Sequence, residues 1–305
     1  MVKSSYQESD GQGKLKIALI VLIALAIIAG GGWFLLRTIR IGGYIKDLDS
    51  DLEEIRIEAV DRLVAYGPAA LSAIRKALRE KQGTGLAMAA VLAGKMKDQG
   101  SIPRLIELLS DSNARVRRCA ATALGKLRAA TAAGALAKCL GDSEADVRCD
   151  AAMALGLLGE AGRPGAPQMI QMLSARETPP AVRRACARAL GEVGDESVAD
   201  ALVKAINPND VDLVKAAATA LGKIKSKRAV DPLCSFLTRG IPDAESKRYD
   251  PENTPPTIRV AIIEALAKIG DRKAVPTLKM CADEKRTISV LVRDAAKKAL
   301  QELGE

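Results

Sequence analysis

The chain has 305 residues, a formal charge of +9 and no histidine, and it is 48% apolar but only 2% aromatic. Lacking histidine, it has neither the usual general base nor the commonest metal ligand, which weighs against an enzyme or a metal protein. Its charge is too small for a nucleic-acid-binding tail, and its core must be built from Ala, Leu, Ile and Val in close-packed helices.

Residues 1–16 read as a polar tail. The next twenty, IALIVLIALAIIAGGGWFLL (17–36), are uncharged. As a helix they would span about 30 Å, the hydrocarbon thickness of a bilayer. Lys14 and Lys16 flank one end and Arg37 and Arg40 the other, and Trp33 and Phe34 stand where interfacial aromatics are expected. A cleaved signal peptide is the rival reading, but the apolar run continues past any cleavage site near Ala29. A single-pass plasma (inner) membrane protein is therefore expected. Three basic residues lie close on either side of the span (Lys3, Lys14 and Lys16; Arg37, Arg40 and Lys46), so positive-inside counting is tied. The short lysine-bearing tail favours an extracytoplasmic array, while six cysteines argue for a reducing compartment. Residues 37–50 read as a juxtamembrane linker.

From residue 51 to 305 one pattern recurs. RVRRCAATALGKL (115–127) returns as DVRCDAAMALGLLG (146–159), AVRRACARALGEVG (181–194), VDLVKAAATALGKI (211–224), TIRVAIIEALAKIG (257–270) and VLVRDAAKKALQELG (290–304), with weaker copies at 55–67 and 85–96. The signature Leu, or its equivalent, falls at Leu63, Ala93, Leu124, Leu155, Leu190, Leu221, Leu266 and Leu300, spaced 30, 31, 31, 35, 31, 45 and 34 residues apart. A second apolar segment separates successive copies, as in SIPRLIELL (101–109) and AVPTLKMC (274–281). That period predicts helical hairpins stacked into a solenoid.

The V-R-x-x-A-A-x-A-L-G run, as in Val147 to Gly156, and the apolar-Pro-x-Leu element, as in Ile102 to Leu105 and Val275 to Leu278, resemble HEAT repeats of the short bacterial, phycobilisome-lyase-like class. The resemblance implies an all-α, right-handed α-solenoid of about seven to eight helical hairpins after a single transmembrane helix. It also implies a binding scaffold, and in some relatives a bilin lyase, while the matching residues are packing residues and carry no chemistry. No cofactor or metal is expected.

Seven residues before the signature stands an arginine in six of eight copies: Arg56, Arg117, Arg148, Arg183, Arg259 and Arg293. The resemblance implies that it belongs to a ladder between neighbouring repeats, with acidic residues such as Asp111 and Asp142 available. Cys119 lies among Arg115, Arg117 and Arg118, a setting that lowers a thiol's pKa. Yet Cys119, Cys149 and Cys186 stand five, six and four before the signature, and at five and four the other copies mostly have Ala, so packing is the expected role of Cys119. A disulfide between Cys139 and Cys149 stays open.

Counting from the signature, positions −4, −3, −1 and 0 should face the core. Positions −6, −2 and +2 should form an exposed stripe. The stripe supplies the candidate partner-binding residues: basic Arg118, Lys126, Arg184, Arg188, Lys215 and Lys223, interrupted by apolar Cys149, Met153 and Leu157. It suits an acidic or amphipathic protein segment. Residues 238–257, rich in Pro, Gly and charge, read as an inserted loop, with Asp243, Glu245, Asp250 and Glu252 as an accessory acidic site. The expected function is a membrane-anchored, non-catalytic scaffold. Electrostatic binding of nucleic acid or acidic lipid headgroups and a bilin-lyase-like activity are the alternatives, and scarce aromatics make nucleic acid a poor partner.

Overall fold

A computed structural model describes residues 32–194, 196–206, 210–239, 241–242, 249–250, 254–284, 287 and 289–305. Most of the expected transmembrane segment, residues 17–31, lies outside the described residues. Among those described, no helix is long and apolar enough to cross a membrane. Residues 32–47 form α1, so the expected linker is helical through residue 47.

The chain divides into two compact units, the first ending at Glu80 and the second running from Lys81 to Glu305. Besides α1, the first holds α2 (Glu53–Ala65) and α3 (Leu71–Glu80). Leu63 and Ile74 are fully buried there, and Arg37 donates from Nη2 to the Tyr66 carbonyl at 3.3 Å.

The second unit alternates long and short helices: α4 (Gly83–Lys95), α5 (Ile102–Leu108), α6 (Ala114–Lys126), α7 (Ala133–Cys139), α8 (Ala145–Leu157), α9 (Ala166–Ser174), α10 (Pro180–Val193) and α11 (Ala199–Lys204). It continues with α12 (Val211–Ile224), α13 (Val230–Arg239), α14 (Pro256–Ile269), α15 (Val275–Ala282) and α16 (Val290–Glu302). Each even-numbered helix packs beside the next, so α4 to α16 form a row. Each shorter helix packs on the even-numbered helix that follows it. Where a loop is expected, a two-residue antiparallel ladder pairs β1 (Ile241–Pro242) with β2 (Tyr249–Asp250).

The signature residues explain the row. Leu124, Leu155, Leu190, Leu221 and Leu266 are fully buried, as are Ala120, Ala151, Cys186, Ala217 and Ile262 four positions earlier. The glycine after the signature sits against the Ala before the signature of the next copy. A Cβ built on Gly94, Gly125, Gly156, Gly191 or Gly222 would stand 2.6 to 3.2 Å from the Cα of Ala123, Ala154, Ala189, Ala220 or Ala265. Ala-Leu-Gly is therefore a docking register: small faces small at each helix crossing, and the bulky Leu enters the core. The last copy departs from it, placing exposed Lys297 and Gln301 where the copies at Leu124, Leu155, Leu190 and Leu221 bury Ala and Gly. A polar outer face of this kind ends a repeat array.

Each long helix stops at one place. Four residues after the signature the backbone turns left-handed, at Gly67, Gly159, Gly194, Gly270 and Gly304, and also at Lys97, Arg128 and Lys225. Glycine adopts that conformation without steric cost. The three basic residues bear the cost, but place positive charge at the negative end of a helix dipole.

Candidate functional site

The exposed stripe lies along the row from α6 to α14, as the repeat pattern requires. On α8, Met153 and Leu157 are 54% and 44% exposed, while Cys149 is half-buried. Lys126, Arg188 and Lys223 are exposed, and Arg118, Arg184 and Lys215 are half-buried.

The arginine seven before the signature is structural. Arg117 grips Asp142 of the next repeat through two hydrogen bonds, Nε to Oδ2 at 2.7 Å and Nη2 to Oδ1 at 2.8 Å. Its Nη1 donates to the carbonyls of Asp111 and Ser112 at the entry to its own helix, at 2.9 and 3.0 Å. Arg148 and Arg56 close their own entry loops likewise. Asp111 thus offers Arg117 its carbonyl, while the carboxylate that Arg117 binds comes from one repeat further on. The Arg117 hydrogen bonds hold the Asp142 carboxyl below its ordinary pKa.

Half of the basic stripe is neutralised within the fold. Arg118 pairs with Asp146 at 2.8 Å and Asp150 at 3.0 Å, both on α8. Arg184 lies 4.0 Å from Asp210 and 3.8 Å from Asp212, and Lys223 pairs with Glu192. Each of these three candidate partner-binding residues thus has its charge paired with a carboxylate on the next or preceding helix. The sequence does hold the signal: Asp146 and Asp212 each stand nine before a signature, in the first turn of the following long helix, and 28 residues after Arg118 and Arg184. Among the described residues, Lys126, Arg188 and Lys215 have no carboxylate within ion-pair distance.

Grooves open between neighbouring helices of the row, and two of them share residues. One, of about 250 Å³, lies between α10 and α12 over a floor of Ala216 and Ala220, walled by Arg188, Glu192, Lys215 and Lys223. The second, of about 390 Å³, shares Lys215 and Thr219 with the first and is lined on its far side by Val260, Ala261, Glu264 and Leu291. Leu291 is 66% exposed. Composition did not single out this apolar end.

All six cysteines are free thiols, so Cys139 and Cys149 are not joined. Burial outweighs Arg115 and Arg118 and raises the Cys119 pKa, while complete burial pushes Cys186 up to about 12. Neither is an activated nucleophile, and Cys119 fills the packing role its slot predicts. No group of three or more metal-ligating side chains occurs among the described residues. In the accessory loop, Asp243, Glu245 and Glu252 lie outside the described residues. Asp250 belongs to β2, opposite Ile241.

The sequence matches the HEAT repeats family over residues 84–156 and 166–244, and the PBS lyase HEAT-like repeat over 258–284. No curated protein matches it in sequence. Among solved structures, Escherichia coli YibA is similar at 18% identity and a TM-score of 0.59, over 87% of this chain and 92% of that one. An engineered protein is similar at 21% identity and a TM-score of 0.53, over 86% and 78%. The complex of CpcE and CpcF of phycocyanin lyase from Nostoc sp. PCC7120 aligns at 22% identity and a TM-score of 0.46, over 86% and 92%. At these identities the likeness to YibA and the engineered protein concerns the fold alone.

Proposed function

Because this chain is a HEAT-repeat protein, we propose that it is a non-catalytic scaffold that binds a protein partner along the row face of a right-handed solenoid of seven to eight hairpins. The observation behind this is the face itself. Two grooves share Lys215 and Thr219, and exposed Met153 and Leu157 lie on the same row. Met and Arg are enriched at protein interfaces relative to the rest of the surface, and both stand on this face.

In this reading residues 17–36 anchor the chain in the plasma (inner) membrane, with the array extracytoplasmic. Trp33, Phe34, Leu35 and Leu36 in α1 are each 58% to 66% exposed, which suits chain leaving a bilayer. Electrostatic binding of nucleic acid or acidic lipid loses support from the internal pairing of Arg118, Arg184 and Lys223. A lyase-like activity has only packing residues behind it.

The test is site-specific photo-crosslinking in intact cells, with the crosslinker at Met153 or Thr219 on the row face and at Lys138 on α7 as the comparison. Discrete protein adducts from the first two positions, absent from the third, are expected. Adducts from Lys138 alone would sink the assignment of this face.

A further inference from the structure

We infer that the face from α8 to α14 receives an extended acidic segment of a partner protein, apolar at both ends with two carboxylates between; this rests on the scaffold reading above. Crossing the row, the exposed chemistry changes in a fixed order. α8 presents Met153 and Leu157, α10 presents Arg188, α12 presents Lys215, and α14 presents Val260 and Ala261 with Leu291 of α16 beside them. Both central cations lack a carboxylate partner among the described residues, whereas Arg118, Arg184 and Lys223 on the same stripe are already compensated. Unused charge thus stands between Met153 and Leu157 at one end and Val260 and Leu291 at the other, while Lys268, also unpaired among the described residues, lies eight residues, about 12 Å, beyond Val260 along α14 and off this track.

Spacing selects the conformation of the occupant. Packed helix axes stand about 8–10 Å apart. In a polyproline-II chain every third residue returns to the same face after about 9 Å, so one side chain in three meets each successive helix. The matching segment is about ten residues long: apolar, two spacers, acidic, two spacers, acidic, two spacers, apolar. Such a backbone needs no hydrogen bonds from the receptor, which suits a face made of side chains on paired helices.

The same face discriminates against polyanions. Glu264 lines the second groove with no cation partner among the described residues and would repel an evenly spaced row of phosphates, while two discrete carboxylates have room at Arg188 and Lys215. A protein segment fits this alternation, and nucleic acid does not.

The experiment is fluorescence anisotropy on the full-length chain in nonionic detergent, with the labelled peptide Leu-Pro-Ser-Glu-Pro-Ser-Glu-Pro-Ser-Leu. Versions with Lys for both Glu and Ser for both Leu, and a single-stranded decanucleotide, serve as comparisons. The parent peptide should bind at least tenfold more tightly than each. Arg188→Glu with Lys215→Glu should reverse the order of the acidic and basic peptides, and Arg188→Gln with Lys215→Gln should level it. Lys126→Glu, on the stripe but off the track, should change the affinity less than twofold. Equal binding of acidic and basic peptides, an order that survives charge reversal, or tighter binding of the oligonucleotide would overturn the inference. Row-face crosslinks in cells without peptide selectivity would overturn this segment and leave the scaffold standing; loss of both would remove both.

Discussion

Arg117 and Asp142 show how single side chains tie one repeat to the next. Their side chains are only 13% and 11% exposed, and the guanidinium also closes the loop ahead of its own helix. Asp142→Asn keeps the shape and removes the charge. A loss of about 1.5–3 kcal/mol at neutral pH is expected, the range for hydrogen bonds to charged groups. Because the folded-state pKa of Asp142 is lowered, its contribution is present above the unfolded value of about 3.9 and lost as pH falls through the folded one. The difference between Asn variant and parent should therefore shrink in urea melts taken below about pH 4. A difference that is constant with pH would mean that the pair contributes nothing through charge.

At the scale of elements, the distance between row helices is set by glycine against alanine. The tightest crossing is Gly191 on Ala220, where an added Cβ would lie 2.6 Å from both Cα and Cβ of the alanine. Replacing a mid-helix Gly by Ala ordinarily stabilises by about 0.5–1 kcal/mol. Overpacking costs about 1–3 kcal/mol, and backbone rather than a flexible side-chain tip is what must move here. The clash should win. Gly191→Ala is expected to lower the unfolding free energy by about 1–2 kcal/mol in chemical denaturation, and a stabilised variant would show that α10 and α12 separate easily. Gly134, which would meet nothing within 4 Å, is the matching control and should tolerate Ala.

For the whole molecule, a repeat array gathers its stability from neighbouring repeats, so a boundary between compact units should also be a boundary in folding. The unit beginning at Lys81 contains seven of the eight copies, from Ala93 on α4 to Leu300 on α16, whose outer face is polar. Residues 81–305 produced alone are expected to give a helical circular dichroism spectrum and a cooperative thermal transition. A non-cooperative melt would show that the first 80 residues complete the fold. The repeats are legible in the sequence because packing is periodic: the buried Leu series, the small residues around it and the exposed stripe all follow from position alone. The state of the charges on that stripe is not. Arg118 and Arg188 look alike in sequence, but one faces two aspartates on α8 and the other opens on a groove.

By itself, then, the sequence determined the helical hairpins, their repeat and the core and exposed positions along each long helix, because these depend on local propensity and on a spacing of about thirty residues. Only the tertiary structure decided which cations are spent and which are available, that thiols among arginines are silenced by burial, and that an apolar groove opens beside Leu291. Those outcomes depend on distances between helices that the period leaves unspecified: a carboxylate 28 residues away neutralises a cation only when helix packing brings it within a few ångströms.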